Sequence, residues 1–228
     1  MKKTPASLLL LAISLASSTM KAEDNLSSFS APHWGIRASI DVSNPGDIKV
    51  GDFKVSLFDT RLGVSFGGYY CVPLSNGFYL EPGVFLFYDT YGLANVQLGN
   101  EQLIEADGYV DKFGISIPLH CGFHFDIWEN ASLFLKTGPQ LSIGLVSQEH
   151  IKDVDKIEGY EDYDNNLYGK DGGLKRFNLL WDVAAGLDFG NFNVSLEYDF
   201  GLLNLLKDTG GMASFKESYF RIGVGYSF

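Results

Sequence analysis

No stretch of this 228-residue chain holds an uninterrupted apolar run of the roughly 20 residues that a membrane-spanning helix needs. If the chain enters a membrane, it does so as strands. No Pro-, Gly- or Ser-rich linker divides it, so a single domain is expected. Positive charge is scarce: 17 Lys and Arg stand against 28 Asp and Glu, a formal charge of −11. Such a chain lacks the cationic surface that a phosphate backbone requires, which argues against nucleic acid as a partner. Cysteine is scarce as well. Neither Cys71 nor Cys121 follows the apolar N-terminal run, which argues against a lipid-anchored lipoprotein.

The N-terminus, MKKTPASLLLLAISLASSTMKAED, sets Lys2 and Lys3 before the apolar run Leu8 to Leu15 and then small residues. That is the order of a secretory signal peptide, too short to be a retained anchor. Residues 1–22 are read as the signal, with cleavage between 16 and 22 because Ala16, Ser18 and Ala22 all have small surroundings. The mature domain is then 23–228, and losing Lys2, Lys3 and Lys21 takes the charge from −11 to −14.

What the chain does have is alternation. In its last ten residues, YFRIGVGYSF, Phe220, Ile222, Val224, Tyr226 and Phe228 are large and apolar, while Tyr219, Arg221, Gly223, Gly225 and Ser227 are small, charged or hydroxylated. This period of two marks a strand with unlike faces. The same pattern runs through FNVSLEYDFGL, RFNLLWDVAAGLDF, ASLFLKTGPQLSIGL, KFGISIPLHCGFHFDI, FYLEPGVFLFYDT, LFDTRLGVSFGGYYCV and HWGIRASIDV, giving eight strands. Connections alternate too. Those at Leu74 to Gly77, Trp128 to Asn130 and Gly190 to Asn191 are tight, and those at Ser43 to Phe53, Tyr91 to Gly108, Ser147 to Lys175 and Leu203 to Glu217 are long. The two-residue turn at Gly190–Asn191 pairs Phe189 with Phe192, both on the apolar face.

Size decides which face is wet. An eight-stranded barrel has a lumen only wide enough for side chains to fill it. The apolar faces carry Trp34, Phe66, Trp181, Phe189, Phe192, Phe200, Phe220 and Phe228, which would overfill it, whereas the polar faces carry many glycines. The expected fold is therefore all-β: an eight-stranded antiparallel up-and-down transmembrane β-barrel, with a polar Gly-rich interior and an apolar lipid-facing exterior. Pro82, Pro118 and Pro139 fall inside strands of a sheet with no free edge, so bulges are expected there.

At GISIPLHCGFHF, at LKTGPQLSIGL after the next short turn, and from WDVAAGLDFGNFNVSLEYDFGLLNL to the aromatic C-terminus, the chain resembles the PorT-like outer-membrane β-barrel family of Gram-negative bacteria. The resemblance covers nearly the whole mature chain. It implies location in the outer membrane, contact with outer-membrane lipid and lipopolysaccharide, and insertion by the barrel-assembly machinery through a C-terminal aromatic signal, here Tyr226 and Phe228.

No residue is assigned a catalytic role, and no cofactor or metal is expected. His120 and His124 share an inward face, but residues four apart on a strand are separated by about 13 Å, too far to share one ion. The acidic run from Glu149 to Asp171 lacks the Gly and terminal Glu spacing of an EF-hand loop. The favoured function is a non-enzymatic structural or surface-interaction barrel displaying four long loops to an unnamed extracellular ligand. The alternatives are a lipid-modifying outer-membrane enzyme, and a narrow pore or secretion-associated barrel. One interior ionic cluster is expected. Arg221, Asp199 and Asp182 each lie seven residues from Phe228, Phe192 and Phe189 in turn, so all point inward at a similar height, with the arginine fork serving both carboxylates.

Overall fold

The structure, a computed structural model, describes residues 31–228 apart from 51–52, 56–57, 61, 94–95, 99–100, 105–106, 129–130, 153–162, 171 and 208–211. The expected signal segment, 1–22, lies outside the described residues, as does the centre of the acidic loop. Eight strands form the wall: β1 His33–Pro45, β2 Leu62–Pro73, β3 Phe78–Leu93, β4 Asp107–Trp128, β5 Ala131–Lys152, β6 Phe177–Phe189, β7 Phe192–Gly201 and β8 Glu217–Ser227. Each pairs antiparallel with the next, and β8 returns to β1, from Gly35 opposite Ser227 to Pro45 opposite Glu217. The sheet is a closed barrel.

Turn chemistry sets the register at the tight end. Gly190 has φ 59°, and the two-residue turn after β6 sets Phe189 opposite Phe192 and Asp182 opposite Asp199. The β2–β3 turn uses Asn76 and Gly77, both with positive φ.

The alternation then sorts the side chains. Trp34 is 65 % exposed and Phe228 70 %, whereas Asp41 and Asp199, on the other parity, are fully enclosed. Exposed Ile40, Phe66, Leu86, Ile117, Leu135, Trp181, Leu196 and Ile222 continue the apolar belt around every strand, which only a hydrocarbon surround accommodates. Polar atoms on this outer face satisfy one another: the Trp181 indole N–H donates to Thr137 Oγ1 (2.9 Å), and that hydroxyl donates to the Asp182 carbonyl (2.7 Å). A lone donor facing lipid would be costly.

Inside, glycines make room for rings. A Cβ at Gly35 would collide with Tyr69, at Gly122 with Tyr79, at Gly186 with Phe134, and at Gly144 with Tyr168. Tyr69, Tyr79 and Phe134 are buried in consequence, and they fill the tight-turn half of the lumen.

Two expectations need correction. The prolines do not sit at bulges. Pairing lapses between Thr137–Cys121 and Gln140–Pro118, and between Pro82–Leu119 and Phe85–Ser116, but it resumes in unchanged register. A missing N–H removes rungs without inserting a residue. The bulges fall at Ala131/Ser132 and at Gly144/Val146. At the second, Leu145 and Val146 both face outward and Ser147 turns in. Strands also run further than the alternation shows. β5 continues through Ser147 to Lys152, pairing with β4 on one side and with Tyr163–Asn166 on the other.

Cys71 is buried and Cys121 exposed, and both are free. They lie on opposite sides of the wall, where no bridge can form without moving backbone. In vesicles, Cys121 is expected to react with a membrane-soluble maleimide while Cys71 stays unlabelled until the barrel is unfolded. A Cys71–Cys121 link detected by mass spectrometry would contradict the register of β2 or β4.

Candidate functional site

Buried ionisable groups are stacked along the lumen in successive layers. At the tight-turn end, His124 Nε2 meets Asp188 Oδ2 at 3.1 Å, and Tyr69 OH joins Ser227 Oγ (2.9 Å) and Asn193 Nδ2 (3.0 Å). Above them, two cations hold two carboxylates. Arg37 Nη1 lies 3.0 Å from Glu81 Oε1 and 3.8 Å from Glu197 Oε1, and Lys136 Nζ lies 2.9 and 3.2 Å from the same two atoms. Alternate strands, β1, β3, β5 and β7, supply opposite charges on the inward parity, and each carboxylate is shared by two cations across the lumen.

The next layer holds Arg221, Asp199 and Asp182, but with other partners than expected. Arg221 Nη1 pairs with Asp199 Oδ2, and its Nε lies 3.5 Å from Asp41 Oδ1. Asp182 sits opposite Asp199 on β6, but its hydrogen bond goes to His120 Nε2 at 2.9 Å. The structure thus gives Arg221 to Asp199 and Asp41, and Asp182 to His120. The reason is closure. Arg221 is the direct cross-strand neighbour of Asp41 on β1 and of Glu197 on β7, while His120 reaches across from β4. Gln140 Oε1 accepts a further bond from Arg221 Nη1 at 3.4 Å.

At the long-loop end, Lys112 Nζ pairs with Glu217 Oε2, Tyr219 OH donates to the same oxygen at 2.9 Å, and Tyr91 OH lies 3.1 Å from Tyr219 OH. Over this layer sits a second, small apolar core of Tyr168, Leu174, Leu205 and Phe215, with Ile48, Leu167 and Leu206 against it. Lys207 ties the loops together by donating to the carbonyls of Gly169 (2.8 Å) and Gly172 (2.9 Å). Burial in this cap pushes the Tyr168 phenol above its ordinary pKa. Sequence reading missed the cap, because its residues come from three long connections without periodicity.

A void of about 20 Å³ remains between the two charged layers, lined among others by Ser39, Ser65, Ser116, Gln140 and Arg221. It has room for about one water. Purified mature protein in a planar bilayer is therefore expected to show no stable ohmic conductance. Reproducible conductance that survives removal of contaminating porins would contradict the filled lumen.

Among the described residues, no group of three or more His, Cys, Asp or Glu side chains is arranged to hold a metal ion. Tyr226 and Phe228 lie at the tight-turn end of β8, ring against ring at 5.2 Å, with Phe192 packed on Tyr226 at 5.0 Å.

The family model for the outer membrane protein beta-barrel domain matches residues 23–207. Among solved structures, Neisserial surface protein A is similar at 12 % identity and TM-score 0.45, over 86 % of this chain and 97 % of that one. Ail, the attachment invasion locus protein of Yersinia pestis, solved with the heparin analogue sucrose octasulfate, gives 14 %, 0.41, 87 % and 99 %. OprG from Pseudomonas aeruginosa gives 14 %, 0.45, 87 % and 96 %. No curated protein sequence matches the chain.

Proposed function

The chain belongs to the outer membrane protein β-barrel domain family and resides in the cell outer membrane, and on that premise we propose that it is a non-enzymatic barrel whose work is done by its long loops at the cell surface. One observation carries this reading. The lumen is occupied by paired charges and rings, and its outer mouth is roofed by the folded core around Phe215 and Tyr168. A wall filled in this way serves as a scaffold, which leaves recognition to what it displays.

The histidines favour this over a lipid-modifying enzyme. His120 and His124 face Asp182 and Asp188 inside the barrel, away from the lipid that a deacylase or phospholipase would attack. On the finer family level, the GISIPLHCGFHF and LKTGPQLSIGL stretches support placement among the PorT-like barrels. A secretion-associated role stays an alternative within the same architecture. We further propose removal of residues 1–22 as a signal, insertion by the barrel-assembly machinery through Tyr226 and Phe228, and contact with outer-membrane lipid and lipopolysaccharide.

The test is capture of surface partners from intact cells. Residues 153–162 would be replaced by a short Gly-Ser link, which spares β5 and the cap residues Tyr168 and Leu174. A display barrel is expected to lose a partner that the parent chain retains, while its heat-modifiable gel band stays the same. An unchanged set of partners, with a lipid-hydrolysing activity that persists in the purified variant, would overturn the reading in favour of an enzyme.

A further inference from the structure

The charges inside the wall do not balance. Seven buried carboxylates, Asp41, Glu81, Asp89, Asp182, Glu197, Asp199 and Glu217, face four buried lysines and arginines, Arg37, Lys112, Lys136 and Arg221. Counting His120 as a fifth cation still leaves two negative charges over. The pairing shows where they fall. Arg37 and Lys136 hold Glu81 and Glu197, and His120 meets Asp182. Lys112, the cross-strand neighbour of Asp89, turns its ammonium to Glu217. Arg221 is shared between Asp199 and Asp41. One charge on that pair and the whole of Asp89 remain unmatched.

Asp41 and Asp89 lie in one row of the wall, separated by a glycine. Asp41 on β1 is the cross-strand partner of Gly63 on β2. Asp89 on β3 leans over the same glycine, where a Cβ would lie 2.2 Å from Asp89 Oδ1. Strands are about 4.8 Å apart, which brings that oxygen to within roughly 5 Å of the Asp41 side chain. Both residues are buried, and Asp89 Oδ1 and Asp41 Oδ2 have no hydrogen-bond partner among the described residues. The other Asp41 oxygen is in use: Ser39 donates to Oδ1, and Ser65 Oγ lies 3.5 Å from it. Two like charges held this close, out of water, require a counterion.

We propose that the gap over Gly63 is a calcium site, with Asp41 Oδ2 and Asp89 Oδ1 as its two anionic ligands. Two carboxylates match the charge of a divalent ion. Hydroxyls surround them on the inward faces, Ser39 and Ser65 two residues toward the tight turns on β1 and β2, and Ser43 two residues the other way on β1. All are hard oxygen donors. Calcium accepts about six to eight oxygens in irregular arrangements, whereas magnesium demands a near-ideal octahedron. The small void nearby does not suit a cation. Arg37, Gln140 and Arg221, which border it, carry unpartnered donors at Nε, Nε2 and Nε in turn, and these match the lone pairs of a water. The site follows from the closed barrel and not from what the loops capture, so it can fail while the surface-display reading stands.

Calcium retention by the purified full-length mature protein tests it. The chain would be unfolded in urea with EDTA and refolded into phosphatidylcholine vesicles with calcium or with sodium alone. Unbound metal is then removed, and bound calcium is counted by inductively coupled plasma mass spectrometry. Wild-type barrel is expected to keep about one calcium per chain and to unfold at higher urea when refolded with calcium, because the ion binds only the folded state. Asp41→Asn/Asp89→Asn is expected to lose both the ion and the shift in midpoint, with its heat-modifiable band retained. The barrel in which a Gly-Ser link replaces residues 153–162 is expected to keep its calcium, a comparison that leaves the lumen untouched. Three results would overturn the proposal. They are a wild-type barrel that holds no calcium and whose midpoint answers only to pH, which would assign the unmatched charge to protons; calcium kept by Asp41→Asn/Asp89→Asn; and calcium lost on replacement of 153–162.

Discussion

Exchange of Arg221 for Met is expected to destabilise the folded barrel by about 3 to 5 kcal/mol, because it strips the cation from a carboxylate pair that water cannot reach. Asp199 and Asp41 are both fully enclosed, and Arg221 is the cation that touches them. Adding Asp199→Asn should return part of the loss, since the orphaned charge is then gone. Asp182→Asn should return little, because its hydrogen bond is to His120. Urea unfolding in lipid vesicles measures these three variants beside the wild type. A wild-type midpoint for Arg221→Met would show that Arg221 does not hold this layer, and rescue by Asp182→Asn as large as that by Asp199→Asn would restore the pairing read from the sequence, in which one arginine serves both carboxylates.

Lys136→Met should cost about 3 kcal/mol or more on the same reasoning, with a different pattern of rescue. Its ammonium is fully enclosed and lies 2.9 Å from Glu81 and 3.2 Å from Glu197. Once it is removed, Glu81 keeps Arg37 at 3.0 Å, but Glu197 keeps it only at 3.8 Å. Glu197→Gln is therefore the better compensating change, and the pair Lys136→Met/Glu197→Gln should lie close to wild type in the same unfolding measurement. Equal rescue by Glu81→Gln would mean that the two carboxylates share their cations evenly.

Parity was readable in the sequence because a strand repeats every two residues, and a single assignment of faces then places every side chain in or out. Register was readable only across tight turns. Gly190–Asn191 fixes Asp182 opposite Asp199, but no short turn joins β8 to β1 or β3 to β4. Hence Asp41 as the neighbour of Arg221, and the Arg37–Glu81–Lys136–Glu197 quartet, appear only once the barrel closes with its stagger. The outer end of β5 escaped for another reason. Above the hydrocarbon both faces of a strand can be polar, so SQEHIK carries no alternation to read, and the bulge at Gly144/Val146 shifts the parity just before it. The cap is non-local. Tyr168, Leu174, Leu205 and Phe215 come together only through loop contacts that leave no periodic trace.

The most direct test of an apolar wall facing lipid and a charged interior uses the native tryptophans. Trp34, Trp128 and Trp181 all lie on the outer face, Trp181 well inside β6 and the other two at the tight-turn rim. Single-tryptophan forms, made by Trp→Phe exchange, would be folded into vesicles whose acyl chains are brominated at set depths, and their fluorescence quenching recorded. An outward apolar face predicts strong quenching of all three, with Trp181 most sensitive to deep bromines and Trp34 and Trp128 to shallow ones. Trp181 untouched by bromine at every depth, yet quenched by a water-soluble agent, would place that face in water and contradict the barrel's orientation of inside and out.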